Sequence, residues 1–320
     1  MAYTSGEAST ILDVVEAINT MLVTTLGWTA KYTKNCTYDS KNRLCEAIYE
    51  GKGDGSDKIY LQVRVPTHYD SSVSTEIPNS VNNMYLDSMA GYDTKLEYYE
   101  QPGSIQQWLK SYGEDEVNQP MFTVTENEKF YYWIFADTYR LIVVARMSIV
   151  YESMYIGFIN PISSERQYPY PMYIAGNSSV SGGSWPNNKP GSFIFPSSNS
   201  GFLRRADGVW RAFDAYGDAQ AYPNPTANGT VFPYNCGNKN LVQNYMGTQT
   251  SSQDNMLLIP VLLQTNNPVD VNGILRDVYW LSGTKDVSSE QILTYNSESY
   301  IVFDTKQERG ANTYFAVKLA

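Results

Sequence analysis

The segment from Phe130 to Ile159 constrains the fold of this chain more than any other. Phe130-Tyr-Tyr-Trp-Ile-Phe-Ala136 is a compact aromatic run, and Leu141-Ile-Val-Val-Ala-Arg-Met147 is β-branched and apolar. Tyr151 to Ile159 makes a third such stretch, with Gly157 inside it. Aromatic and β-branched side chains fit the pleated surface of a sheet. The links between the runs are short, with Asp137-Thr-Tyr-Arg140 placed to turn the chain, so the spacing predicts an antiparallel meander. Its hydrophobicity is nearly continuous rather than alternating, which predicts burial on both faces. Val143, Ile156 and Phe158 are accordingly expected in the core.

The elements around the meander are also readable. Thr10 and Asp13, three positions apart, form a capping box. Ile11, Val14, Val15, Ile18 and Leu22 recur at helical spacing, so a helix is expected as the first element, ended by Gly27. Trp28 begins an extended segment. From Lys58 to Val65 apolar and polar residues alternate, which predicts a half-buried strand stopped by Pro66. The preceding Gly51 to Asp57 reads as a turn, and Asp70 to Asn83 as a polar loop. Near the C-terminus, Met256 to Leu263 and Val278 to Leu281 read as strands, and Glu298 to Phe303 with Thr313 to Leu319 as a hairpin.

Between Pro161 and Pro260 the chain is dense in Gly, Pro, Ser and Asn, with turn signals at Asp207-Gly208 and Asn228-Gly229. Trp185, Phe193, Phe195, Trp210 and Phe213 punctuate it and argue for an ordered, loop-rich region. The expected architecture is therefore α+β and β-dominated: an N-terminal helix with an antiparallel sheet core, and a loop-rich β insertion or second lobe. The divisions are a helix-plus-meander core over 1–160, the loop-rich stretch over 161–260, and strands over 261–320 that return to the core.

Charge and cysteine content narrow the function classes. The formal net charge is −10, whereas a general nucleic-acid binder carries a basic surface. No dense Lys/Arg cluster of the membrane-binding kind occurs. The adjacent pair Arg204-Arg205 reads as a solvated or salt-bridged loop pair. The three cysteines, Cys36, Cys45 and Cys236, do not make a disulfide framework. Reduced thiols in a cytoplasmic setting fit best, although a Cys36–Cys45 bridge within a hairpin is geometrically possible. The first residues lack a basic region followed by an apolar run, so no signal peptide is indicated, and no apolar stretch approaches bilayer length. The 27 tyrosines suit half-buried sheet faces and wet interfaces alike.

Catalytic patterns are sparse. The one histidine, His68, sits in the polar stretch after Pro66, and no G-x-S-x-G elbow accompanies it. There is no P-loop, dinucleotide fingerprint or C-x-x-C pair. Asp54 and Asp57 lack the spacing of a calcium loop, so a plain turn is the better reading. Glu114/Glu116 and Glu126/Glu128 could suggest a glycosidase pair, but both lie in polar stretches that read as solvated. The aromatic loops from Tyr168 to Tyr234 could stack on sugar rings, and buried anchors compete with that reading. The expectation is no catalytic residue, no cofactor and no metal.

Four blocks occur in order: Phe130–Ala136, Arg140-Leu-Ile-Val-Val-Ala-Arg146, Tyr151-Glu-Ser-Met-Tyr-Ile-Gly-Phe158 and Tyr168-Pro-Tyr-Pro-Met-Tyr-Ile-Ala-Gly176. Together they resemble a family of virion structural proteins of contractile-tailed bacteriophages and prophages. Gly51 to Val65, Gly91-Tyr92-Asp93, Gln101-Pro102-Gly103 and Tyr314-Phe-Ala-Val-Lys-Leu-Ala320 fit the same pattern, whereas 177–255 matches least. The resemblance implies a virion component assembled in the host cytoplasm, in the neck or collar, with the baseplate as rival position. Its implied partners are further copies in a ring or ring-decorating array and other neck or tail proteins. DNA would be only passing cargo. A receptor- or glycan-binding tail protein is the alternative function.

Overall fold

The structure, a computed structural model, describes residues 1–70, 75–78, 81–105, 119–125, 128–162, 171–178, 191–194, 196, 200–205, 207–212, 229–232, 258–266, 269–282, 287–305 and 313–319. Strand β1 (Ala2–Ala8) comes first, then helix α1 (Ile11–Asn19), which runs on as a π-helical stretch, Thr20–Thr25. A long hairpin follows, β2 (Thr29–Tyr38) and β3 (Lys41–Asp54), leading to β4 (Asp57–Arg64). A short hairpin, β5 (Thr67–Asp70) and β6 (Thr75–Pro78), precedes β7 (Asn83–Met89), a 3-10 turn (Tyr98–Glu100) and β8 (Pro120–Thr123). The meander is β9 (Phe130–Ala136), β10 (Arg140–Met147) and β11 (Val150–Phe158). Five short strands come next: β12 (Asn160–Pro161), β13 (Met172–Ala175), β14 (Asn177–Ser178), β15 (Gly201–Arg204) and β16 (Trp210–Ala212). The last six are β17 (Gly229–Phe232), β18 (Ile259–Asn266), β19 (Val269–Ser282), β20 (Ile292–Tyr295), β21 (Glu298–Asp304) and β22 (Thr313–Lys318).

These strands make three main antiparallel sheets. The central one has the order β1-β9-β10-β11-β13-β15-β16, so the meander is its middle. The second is β14-β8-β7-β4-β3-β2. The third is β17-β18-β19-β22-β21-β20, with β12 also on β19. The fold is thus β-dominated with an N-terminal helix, as the sequence pattern predicts. The strands described between 171 and 212 extend the central and second sheets, whereas β17 and β18 join the third.

Side-chain alternation explains the stacking. On one face of the central sheet Ile134, Val143, Ile156 and Phe158 share a core with α1 and with Leu61, Val63, Leu86 and Phe122 of the second sheet. On the other face Phe135, Ile142, Val144 and Tyr155 share a second core with Val278, Phe303 and Phe315 of the third. Adjacent residues of the meander therefore point into different cores, which is why most of them are apolar. A small third cluster, including Leu281, Tyr300, Val302 and Tyr314, lies on the far face of the third sheet.

The helix forms as its sequence predicts. The Asp13 carboxylate accepts hydrogen bonds from the Thr10 amide at 2.9 Å and the Thr10 hydroxyl at 3.1 Å. Ile11, Val14, Val15, Ile18 and Leu22 are all buried. Arg43 of β3 pairs with Asp13 at 2.7 Å and Glu16 at 2.5 Å, tying the exposed side of α1 to the second sheet. Gly27 has φ +69°, the left-handed conformation expected past a helix end.

Five expectations change. The Gly51–Asp57 turn shrinks to its tip, because β3 runs on to Asp54, which pairs with Asp57 of β4. The helix is not the first element, because β1 precedes it and pairs with β9. The 70–83 stretch is not wholly a loop, since β6 pairs with β5 and β7 begins at Asn83. Strand β4 is where the alternation puts it, but Gln62 and Arg64 on its polar face are buried too. Finally, Cys36 and Cys45 are joined as a disulfide across the β2–β3 hairpin, with their Cα atoms 5.9 Å apart, rather than standing as reduced thiols. The register explains the last point: Lys34 faces Glu46 and Asn35 faces Leu44, so Cys45 is the extra residue of a bulge beside Cys36.

Candidate functional site

A cavity of about 510 Å³ opens where the layers meet, lined by Met1, Leu26, Asp137, Thr138, Tyr139, Asp277, Lys318 and Leu319. Local structure places its polar groups. Asp137 starts the β9–β10 turn, where its carboxylate accepts from the Tyr139 amide at 2.7 Å. Asp277 interrupts β19 with φ +52°, a conformation that Asp tolerates better than most residues. Behind this wall lies Arg140, whose side chain is fully buried. Its guanidinium is 2.9 Å from Asp277 and 3.3 Å from Asp137. Arg276 lies 4.1 Å over the Tyr139 ring and 3.6 Å from Asp54, and Lys318 pairs with Glu298.

Asp137 and Asp277 of this wall both face the Arg140 guanidinium. Arg140 links the central sheet to the third, and Gly157 makes room for it: a Cβ there would lie 2.4 Å from that of Arg140. The arrangement is an ionic tie between layers. Removing one side of such a tie leaves a charge buried without its partner. Asp277→Ala is expected to lower stability by about 2 kcal/mol, less than a full rupture because Asp137 remains. Urea unfolding of the two proteins checks it, and an unchanged midpoint would contradict it.

Two buried carboxyls were missed in the sequence reading. Glu152 on β11 accepts hydrogen bonds from the Gly191 amide at 2.5 Å and the Thr123 amide at 3.3 Å. Burial pushes its carboxyl well above the usual range, against the hydrogen bonds from Gly191, Thr123 and Asn177. Asp87 on β7 accepts from the Ser104 hydroxyl at 2.6 Å, the Ile105 amide at 3.0 Å and the Ser88 amide at 2.6 Å. Burial raises its carboxyl to about 7. Each acid stands alone in an otherwise uncharged strand, Tyr151-Glu-Ser-Met and Tyr85-Leu-Asp-Ser-Met89, and that isolation is the signal that could have revealed them.

Among the described residues, those weighed for chemistry are not brought together. His68 lies on β5 opposite Ile77, with its side chain outside the described residues. Asp54 and Asp57 pair across the β3–β4 turn, and a Cβ at Gly53 would meet the Asp57 carbonyl at 1.8 Å, so that turn requires glycine. Glu114, Glu116 and Glu126 lie outside the described residues, and Glu128 is exposed before β9. Arg204 corrects the reading of Arg204-Arg205 as a loop pair. It is buried on β15, opposite Trp210 of β16, with its guanidinium 5.7 Å from the indole. Phe193 and Trp210 are buried anchors, while Trp185, Phe195 and Phe213 lie outside the described residues. The Tyr168-Pro-Tyr-Pro171 connector is described only at Pro171, whose carbonyl accepts from the Ile159 amide at 3.1 Å. Among the described residues no three His, Cys, Asp or Glu side chains are grouped to hold a metal ion, and no helix is long and apolar enough to cross a membrane.

No protein-family model matches the chain, and no curated protein matches it.

Proposed function

We propose that the chain is a structural subunit of a tailed bacteriophage particle, placed in the neck or collar and acting through repeated subunit contacts, not through catalysis. One observation carries the reading beyond the family resemblance. The four main blocks of the resemblance fall on β9, β10, β11 and β13, the contiguous middle of the central sheet, while further blocks fall on β3–β4 and β22 of the other two sheets. On this reading the resemblance falls mainly on the sheet frame of the fold. Its buried Arg140, Glu152 and Asp87 also tie layers and segments together. Subunits repeated about a cyclic axis need two complementary surfaces on each copy. The formal charge of −10 suits a wall that DNA passes without sticking, and serves solubility if the subunit lies outside the channel.

A baseplate or glycan-binding role is the second reading. It rests on exposed aromatic loops, and the described Phe193, Phe202 and Trp210 are buried instead. Two measurements test the proposal together. Mass spectrometry of purified particles is expected to find the chain in stoichiometric amount, and broad hydrolase and glycosidase screening is expected to find no turnover. A turnover abolished by changing His68 or one carboxylate would overturn the non-catalytic reading.

A further inference from the structure

The chain's own 91–105 segment packs on the second sheet at Arg64 of β4 and Asp87 of β7. Its first part is organised by Gln101, whose side chain accepts from the Asp93 amide at 2.8 Å and donates to the carbonyls of Asp93 and Leu96, both at 2.9 Å. The returning part, Gln101 to Ile105, is a strap. The Ala90 amide donates to the Pro102 carbonyl at 2.7 Å, and Trp210 of the central sheet donates its indole N–H to the Gly103 carbonyl at 3.0 Å. Gly103 itself is left-handed, with φ +68°. The end of the strap is gripped by one side chain: both Asp87 oxygens, Oδ2 on the Ser104 hydroxyl and Oδ1 on the Ile105 amide.

We infer that Asp87 is a proton-operated latch that holds the Gln101–Ile105 strap on the second sheet, closed when its carboxyl is neutral and loosened when it ionises. Geometry allows both states to bond. Neutral Asp87 can donate from Oδ2 to the Ser104 oxygen while Oδ1 keeps the two amides; ionised Asp87 accepts from all three. The difference lies in solvation, because Asp87 has no exposed surface and an ionised carboxylate there forgoes its water.

Facing charges do not cancel that cost. Arg64 of β4 favours the ionised form, but its guanidinium lies 5.3 Å from the Tyr85 ring and 4.5 Å from that of Tyr98. Glu46 of β3 draws on the same Arg64 and is itself pushed up by burial, with Lys34 of β2 lowering it and Glu97 raising it. Arg204 of β15 lies on the strap's other side, near Gly103. Burial dominates and carries the Asp87 carboxyl from 3.8 to about 7.

The sign follows. A carboxyl raised in the closed state stabilises closure fully below its ordinary value and loses that contribution as pH rises through the raised one. Opening of the strap is therefore expected to grow about tenfold per pH unit between roughly 4 and 7, and to level off above.

Hydrogen exchange of the full chain, corrected for the intrinsic pH dependence of exchange, tests this. The opening constants of the Ser104 and Ile105 amides are expected to show that slope and to exceed those of β10 amides, which open only with the core. Asp87→Asn keeps the geometry, with Oδ1 on the two amides and the amide nitrogen donating to Ser104, and is expected to flatten the slope. Ser104→Ala removes a donor to the ionised form, and is expected to move the levelling point to higher pH. A flat wild-type profile, strap amides that open no more readily than those of β10, an unaltered slope in Asp87→Asn, or an unmoved levelling point in Ser104→Ala would each overturn the latch.

Discussion

Truncating Phe158 to alanine is expected to lower the free energy of unfolding by about 3–5 kcal/mol, the range for removing a core aromatic. Phe158 is 1% exposed and ends β11 opposite Met172, in the core shared by the central sheet, the second sheet and α1. Its amide donates to the Tyr139 carbonyl at 2.8 Å, which fixes the backbone at this position. The surrounding layers are held by their own hydrogen-bonded ladders, so they can collapse only partly into the space left behind. Chemical denaturation followed by tryptophan fluorescence measures the loss, and a change below about 1 kcal/mol would contradict the packing described.

Replacing Glu152 with alanine is expected to cost nearly as much, about 3–4 kcal/mol, through a different mechanism. The Gly191 and Thr123 amides would keep their places in the interior and lose their acceptor. Glu152→Gln is expected to cost about half of that, because its single oxygen satisfies one amide while its nitrogen faces the other donor. The pH dependence has a definite sign. Glu152 is raised in the fold, so its contribution is complete at acid pH and falls as pH rises through the raised value. The gap between wild type and Glu152→Ala should therefore narrow towards alkaline pH. A gap that widens instead would show that the ionised carboxylate is the stabilising form.

Much of the frame was legible because its signals are local. The capping box at Thr10 and Asp13, the stripe from Ile11 to Leu22 and the turn at Gly53 all act within a few residues. The meander was legible for a second reason: strands covered on both sides admit few polar residues. What escaped depends on partners distant in sequence. β1, with Thr4, Ser5 and Gly6, has no strand pattern of its own and is a strand because β9 offers it an edge. Gln62 and Arg64 look solvated in β4 but are buried, Gln62 on Glu46 of β3 and Arg64 against the rings of Tyr85 and Tyr98. Arg204 is buried because Trp210 closes over it, and the Cys36–Cys45 bond depends on a bulge that residue spacing does not reveal. The candidate tie at the cavity was illegible likewise, since Arg140 and Asp277 are far apart in the chain.

The central claim, that this chain is a component of a phage particle's neck, is tested most directly by imaging purified particles that carry a label on the chain. The account predicts label at the junction of head and tail, repeated around the axis. Label at the distal baseplate would contradict the neck position, and a chain absent from purified particles would contradict the virion role itself.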